Sequence, residues 1–200
     1  MKYFFDTEFI EGFHRPLFGK RRHFIDLISI GIVCEDGREY YGVSTDFNPN
    51  DADEWVKKNV ISKLPHRHAD HYDSPRIRRE AELWKPQSTI ARETLEFFGC
   101  WRDQHFWRAT EGIEVYAYYA DYDWVLLCSL FGRMIDLPKG FPMYCRDLKQ
   151  MMDERGLSDQ WKDQHCPKPD NLHSAIEDAK WNMRLYDAVI SSPANQTDNL

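Results

Sequence analysis

The sequence has no apolar run long enough to span a bilayer, no Cys-x-x-Cys pair, no internal repeat, no low-complexity stretch and no surplus of basic charge. Each absence excludes something. Without a span, no integral membrane protein is expected, and the short apolar run at the N-terminus is broken by Asp6, Glu8 and Glu11, so it does not read as a signal-peptide core. The cysteines Cys34, Cys100, Cys128, Cys145 and Cys166 form an odd set, which favours reduced, buried thiols in a cytoplasmic protein over a disulfide framework. A formal net charge of −7 and a pI near 5.6 argue against coating nucleic acid with a broad basic surface. They leave room for an enzyme gripping a few terminal nucleotides. What is present is material for a core: 42% hydrophobic and 14% aromatic residues among 200 positions suffice for one domain and are marginal for two.

The most informative stretch is Phe4-Phe5-Asp6-Thr7-Glu8-Phe9-Ile10. On a β-strand, residues i and i+2 share a face, so Asp6 and Glu8 project together while Phe5, Thr7 and Phe9 face the other way. Two ionised carboxylates side by side on a buried strand are unfavourable unless a cation lies between them. No Lys or Arg is close in sequence, which points to a divalent metal; a strand edge that merely exposes polar residues would carry the same pattern.

The rest of the chain reads as alternating elements. A first strand covers Lys2 to Phe9, and a loop with Gly12, Pro16 and Gly19 runs from Glu11 to His23. Its basic run Lys20-Arg21-Arg22-His23 is either a solvated turn or a phosphate contact. Phe24 to Cys34 and Arg38 to Asp46 form a hairpin around an Asp-Gly turn, giving three successive antiparallel strands. Helical spacing covers Asp51 to Leu64, closed by Pro65. A polar connection from His66 to Gln87 follows, then a helix from Ser88 to Gln104 capped by Ser88 or Thr89. Ile113 to Tyr119 is a strand that turns through an acidic corner, Asp121 and Asp123, into a helix reaching Met134. Phe141 to Cys145 is a short strand, Asp147 to Arg155 a helix, Ser158 to Asn171 a polar loop, and Ser174 to Ser191 a long final helix. One domain is therefore expected over residues 1–191, with a polar insertion at 66–87 and a frayed tail at 192–200.

Two constellations compete for the chemistry. His66-Arg67-His68-Ala69-Asp70-His71 fits the His-x-His-x-Asp-His pattern of metallo-β-lactamase-like zinc hydrolases. In that group the motif follows an apolar strand, whereas here Leu64-Pro65 precedes it and the flanks are loop-like, so a solvated polar loop explains it as well. The more consistent set is Asp6, Glu8, one acid at the 120s corner, and His173 with Asp178, which the five-residue step places at the start of the last helix.

Asp6-Thr7-Glu8, Tyr122-Asp123 after a strand, and His173 followed by Asp178 resemble, in order and spacing, the DEDDh 3′-to-5′ exonucleases of the ribonuclease H-like superfamily, over nearly the whole chain. Within that group the stretches Phe5 to Ile10, Ile25 to Val33, Asp36 to Tyr41 and Arg146-Asp147-Leu148 resemble a small bacterial and phage family of 3′-to-5′ exoribonucleases that includes a mycobacterial member.

The resemblance implies an α/β, ribonuclease H-like fold: a central mixed sheet, three antiparallel strands first, flanked by helices. It also implies release of nucleoside monophosphates from a single-stranded or overhanging RNA 3′-end. Two Mg²⁺ or Mn²⁺ ions roughly 3.5–4 Å apart stabilise charge on the attacking water and the leaving oxygen. By similarity Asp6 bridges the ions, Glu8 and Asp178 complete one site, Asp123 holds the second ion, and His173 is the general base. The family pattern puts the ligand after an aromatic residue, hence Asp123; Asp121 is the alternative. Thr7, Phe9, Trp124, Arg146 and Trp181 are candidates for substrate contact, with core packing the competing role of the aromatics. RNA is favoured over DNA, and homodimerisation is expected, through the resemblance alone. An exodeoxyribonuclease of the same fold and a 3′-end-binding module without activity are the rival readings.

Overall fold

The computed structural model describes residues 1–14, 19–103, 105–169 and 173–193. Its organising element is a long antiparallel hairpin, β1 (Lys2–His14) and β2 (Arg22–Cys34), built from β-branched and aromatic residues. A tight turn containing Gly37, at φ 88, leads into β3 (Glu39–Ser44). Helices α1 (Glu54–Asn59) and α2 (Pro75–Ala81) follow, then the edge strand β4 (Trp84–Lys85) and α3 (Gln87–Phe97). A small separate ribbon, β5 (Trp101–Arg102) with β6 (Trp107–Arg108), precedes β7 (Glu114–Ala117) and α4 (Asp121–Ser129). The chain closes with β8 (Arg146–Asp147), α5 (Leu148–Glu154), α6 (Asp159–His165) and α7 (Ala175–Ser191).

The main sheet has six strands in the order β4-β3-β2-β1-β7-β8. The pairs β1/β2 and β2/β3 are antiparallel; β1/β7, β7/β8 and β3/β4 are parallel. This is a mixed α/β sheet with helices on both faces, and its first three strands are antiparallel as their alternation predicts. One face buries Tyr3, Phe5, Ile30 and Ile32 against Ile90 and Leu95 of α3 and Leu126 and Leu127 of α4. The other face carries two apolar clusters. Phe4 and Tyr116 pack against α5 and against Trp181, Leu185 and Val189 of α7. Ile10, Ile28 and Val43 pack against Phe47, Ala52 and Val60. Each fully buried large side chain contributes about 1.5–3 kcal/mol. Between the clusters, on the same face, lie Asp6 and Glu8, so the alternation Phe4-Asp6-Glu8-Ile10 writes a polar gap into an apolar surface.

Helix α7 fixes the depth of that gap. Its buried side includes Ala175, Ala179, Asn182, Leu185 and Val189, with the small residues at the end that reaches the carboxylates. Asn182 donates from Nδ2 to the Phe5 carbonyl at 2.8 Å, pinning the helix to β1. Gly31 lies directly opposite Asp6 in the ladder, and a Cβ built there would stand 2.4 Å from the Ala175 carbonyl carbon and the Ile176 Cα. Helix and strand backbones touch because residue 31 has no side chain.

Several boundaries differ from the sequence expectation, each for a local reason. The loop expected from Glu11 is strand as far as His14, because Gly12 lies opposite Phe24, whose ring fills the space a Cβ would take. Residues 15–18 of that loop fall outside the described residues. The helix expected over Asp51 to Leu64 breaks into a 3₁₀ turn at Pro49–Asp51, α1, and a second turn at Ile61–Lys63. Asp53 caps Val56 N–H at 2.8 Å, and Asn59 Nδ2 donates to the Trp55 carbonyl at 2.9 Å, competing with the helical pattern. The 66–87 connection holds α2, started by the Ser74 cap and Pro75, and β4, which covers the sheet edge. Helix α3 begins after Pro86 rather than at a Ser88 or Thr89 cap, its Gln87 N–H bonded to Asp46. It stops before Gly99, at φ 77, well short of residue 104, which lies outside the described residues. Helix α4 ends at Ser129, not Met134. The strand after it is Arg146–Asp147 rather than Phe141 to Cys145, pairing with β7. The loop expected from Ser158 contains α6, capped by the Ser158 hydroxyl; residues 170–172, and the tail from 194 onward, lie outside the described residues.

All five cysteines are free thiols, and no described helix is long and apolar enough to cross a membrane. Gly31→Ala is expected to lower unfolding stability by about 1–3 kcal/mol through overpacking at the α7 crossing. Urea denaturation measures it; an unchanged midpoint would show that the crossing tolerates a methyl group.

Candidate active site

Asp6 and Glu8 reach the cleft from one face of β1, and Asp178 reaches it from the first turns of α7. Ligand-type oxygens of these three carboxylates all lie within 4.8 Å of one another. The fold has brought Asp178 beside two like-charged groups from the other end of the sequence. Burial is the main cause of their raised pKa values: it drives the Asp6 carboxyl well above its ordinary range, reinforced by Asp123, Asp178 and Glu8. Burial also pushes Glu8 to about 8, with Asp178 and Asp123 adding to it. Asp178 is raised less, because Lys168 and two backbone donors favour its charged form. Those donors are the N–H groups of His173 and Ser174, at 3.0 and 3.2 Å from Oδ2. The Asp178 carboxylate thus ties the residues just before α7 to its first turns, while the Ser174 side chain makes no cap hydrogen bond.

His173 sits at the cleft mouth with φ 64, in the left-handed region that histidine enters more readily than most residues. Burial pushes its imidazole below the usual value; Asp178 opposes that, and Lys63 and Lys168 reinforce it. The ring stands edge-on to the Trp55 indole, centroids 4.8 Å apart.

Asp123 is 8% exposed in the first turn of α4, while Asp121 is exposed to solvent. The structure ties Asp123 to the site through Thr7: its Oδ1 accepts the Thr7 N–H at 2.9 Å and the Thr7 hydroxyl at 2.5 Å. Burial raises Asp123 to about 6, the two Thr7 bonds holding it down. Asp123 is not within the 4.8 Å group, and it reaches Asp6 as a neighbouring charge rather than as a shared ligand oxygen. Asp147 supports the corner from behind, capping α5 with Oδ1 and accepting the Ala120 N–H at 2.7 Å with Oδ2.

The cleft encloses about 430 Å³. Of the substrate candidates, Trp181 lines it, its indole N–H donating to the Cys166 carbonyl at 3.0 Å. Thr7 also lines it, with its hydroxyl committed to Asp123. Phe9 stacks on Tyr122 and borders an adjoining groove. Trp124 and Arg146 point elsewhere. The Trp124 ring stacks on Phe141 in the core at 6.1 Å, and Arg146 pairs with Glu114 at 3.2 Å beside Tyr144 and Tyr116. For Trp124, sequence proximity to Asp123 did not translate into a place in the cleft.

Other lining residues escaped the sequence reading. Lys168 lies over the Trp181 ring at 5.1 Å and the Tyr118 ring at 6.0 Å, and Lys162 projects from α6. Asn182 was legible, one helical turn beyond Asp178 on the same side of α7. Lys162 was not, because the sequence pattern shows no helix where α6 forms. His66, by contrast, is paired with Glu80 at 2.5 Å. Among the described residues, neither it nor His68 or His71 belongs to a converging group of potential metal ligands.

A half-buried trio of carboxylates fits a divalent cation by its donor chemistry. Hard oxygen ligands converge, burial and mutual repulsion both raise their pKa values, and a bound cation would offset both.

Residues 1–190 match the model of the Rv2179c-like 3′-5′ exoribonuclease domain. Two Mycobacterium tuberculosis proteins, the 3′-5′ exoribonuclease Rv2179c of strain H37Rv and the 3′-5′ exoribonuclease MT2234.1 of strain CDC 1551, are each 36% identical over 192 residues. That covers 96% of this chain and 95% of theirs.

The Glu8 shift has a definite sign. Its folded value, about 8, exceeds the ordinary 4.5, so its contribution to stability is fully present below 4.5 and is lost as pH rises through 8. Metal-free protein is therefore expected to melt lower at pH 8.5 than at pH 5.5. Glu8→Gln is expected to gain on the order of a few kcal/mol over wild type at the higher pH. Calorimetric melts across that range check both; parallel wild-type and variant curves would refute the assignment.

Proposed function

Because the chain belongs to the family of Rv2179c-like 3′-5′ exoribonuclease domains, we propose that it is a metal-dependent exoribonuclease of the DEDDh type in the ribonuclease H-like superfamily. It shortens single-stranded or overhanging RNA from the 3′-end and releases nucleoside monophosphates. The observation that carries this reading is the convergence of Asp6, Glu8 and Asp178 within 4.8 Å in a cleft with His173 at its mouth. The names of the mycobacterial relatives supply the substrate class.

Asp6, Glu8 and Asp178 would hold a divalent cation, Mg²⁺ or Mn²⁺, and Asp123 would serve a second ion. When bound, such ions supply a nucleophile at neutral pH and neutralise charge building on the leaving 3′-oxygen. The protein's own groups do the rest. His173, its pKa lowered by burial and by Lys63 and Lys168 against the pull of Asp178, accepts the proton of the attacking water at an imidazole nitrogen. The bonds from Thr7 keep the Asp123 carboxylate oriented, and the bonds from His173 and Ser174 do the same for Asp178. Lys162 and Lys168 face the cleft as cationic partners for phosphate oxygens. Preference for RNA rests on contacts to the 2′-hydroxyl.

A 5′-labelled single-stranded RNA incubated with Mg²⁺ or Mn²⁺ is expected to give a ladder shortening from its 3′-end. A chelator abolishes the ladder, and His173→Ala slows it about 10²–10⁴-fold, the range of a lost general base. Asp6→Asn is expected to slow it at least as far. Faster degradation of a matched DNA would transfer the activity to deoxyribonucleotides. Tight binding without cleavage, across both metals and pH 6 to 9, would make this a 3′-end-binding module instead.

A further inference from the structure

The carboxylate cleft does not end at Glu8 and His173. The same two residues border a second groove of about 460 Å³ that runs along β1 away from Asp6. Ile10 and Val60, both buried, form its floor. Trp55 and Phe13 form its walls and are each 54% exposed, unusual for rings of that size. The groove's remaining acids are engaged within the protein: Glu11 bonds to His23 at 2.7 Å, and Asp53 caps α1. What the groove offers beyond Glu8 is an apolar floor between two aromatic faces. Past Phe13, the end of the hairpin presents Lys20, Arg21, Arg22 and His23, all exposed, with the Arg21 guanidinium 4.4 Å from the centre of the Phe13 ring.

A phosphodiester at the carboxylates has one nucleotide on each side, and the two sides of the site differ. Lys162 and Lys168 line the first cleft, where the terminal nucleotide keeps the scissile phosphate as its own 5′-phosphate. The remaining RNA needs an exit with a surface for bases and cations for its backbone, and in a chain of net charge −7 the hairpin end supplies such a cluster beside the groove. We propose that the Trp55–Phe13 groove holds the nucleotide immediately 5′ of the scissile phosphate, its base stacked on Trp55. The upstream backbone then passes over Arg21 and Arg22. Trp55 is a substrate-positioning residue in this assignment, which rests on the exonuclease reading above.

The test uses the full-length protein with Mg²⁺ or Mn²⁺ and single-stranded RNAs in which one nucleotide lacks its base, either the terminal or the penultimate one. With wild type, the penultimate abasic substitution is expected to raise KM about 10- to 100-fold, the range for loss of one base–aromatic stack. In Trp55→Ala the intact RNA already shows that raised KM and the abasic substitution adds nothing further, while Trp55→Phe recovers part of the discrimination. The double variant R21A/R22A is expected to lose part of the affinity gained on lengthening a dinucleotide to a hexanucleotide. A merely structural role for Trp55 would weaken all substrates alike. The proposal is overturned if Trp55→Ala still penalises the penultimate abasic site as wild type does, or if wild type shows no such penalty while degrading RNA normally. Failure of wild type to shorten any RNA overturns the exonuclease reading itself, a distinct result.

Discussion

The site depends on a side chain that is not there. Helix α7 starts against the backbone of β2 because Gly31 leaves it room, and every consequence for the chemistry follows from that closeness. Were the helix held off by an ordinary side chain, Asp178 would not come within ligand distance of Asp6 and Glu8, and Asn182 would lose its bond to the Phe5 carbonyl. The contact also explains the small residues at 175 and 179, at the end of the helix where a larger side chain would act as a spacer. Farther along, Trp181, Leu185 and Val189 fill a conventional apolar interface that supplies the stability to hold the crossing in place.

That crossing creates an electrostatic problem by bringing like-charged groups together. Buried carboxylates are ordinarily matched by an Arg or Lys at ion-pair distance. Here Lys168 is near enough to influence Asp6, Glu8 and Asp178, yet it lies over aromatic rings rather than between the acids. The one carboxylate satisfied by hydrogen bonds from across the sheet, Asp123, belongs to the opposite layer and is reached through the β1 backbone at Thr7. β1 is thus read on both sides at once, its even residues facing α7 and its intervening threonine facing α4.

Much of this was legible in the sequence. Strict alternation over Phe4-Asp6-Glu8-Ile10 gives the facing of the two acids without any structure, and the wide spacing to Asp123 and Asp178 follows from the strand–helix pattern. The three antiparallel strands, β7 and α7 were also readable, since each is a long or strongly patterned run. The losses were short-range. Ser74 and Ser158 are N-caps whose helices are only two turns long, too short for apolar periodicity to show, so α2 and α6 were hidden and Lys162 with them. Gly99 ends α3 through a left-handed conformation, a local event that the apolar spacing beyond it masked. Trp124 illustrates the limit of adjacency: a helix turns neighbouring residues through about 100° each, so a motif's neighbour faces a different layer.

The hairpin outruns its sheet. β7 pairs with β1 only over Lys2 to Phe4, and β3 pairs with β2 only from Ser29 to Val33, so the outer halves of β1 and β2 have each other as their described strand neighbours. Stability in such a molecule is graded along a single element. Opening the outer ribbon breaks the local ladder and the few contacts beneath it, and leaves the six-stranded core and the carboxylates intact. Grip on a ligand and integrity of the scaffold then become separately adjustable properties, and sequence drift at the ribbon's end can retune the first without drawing on the second.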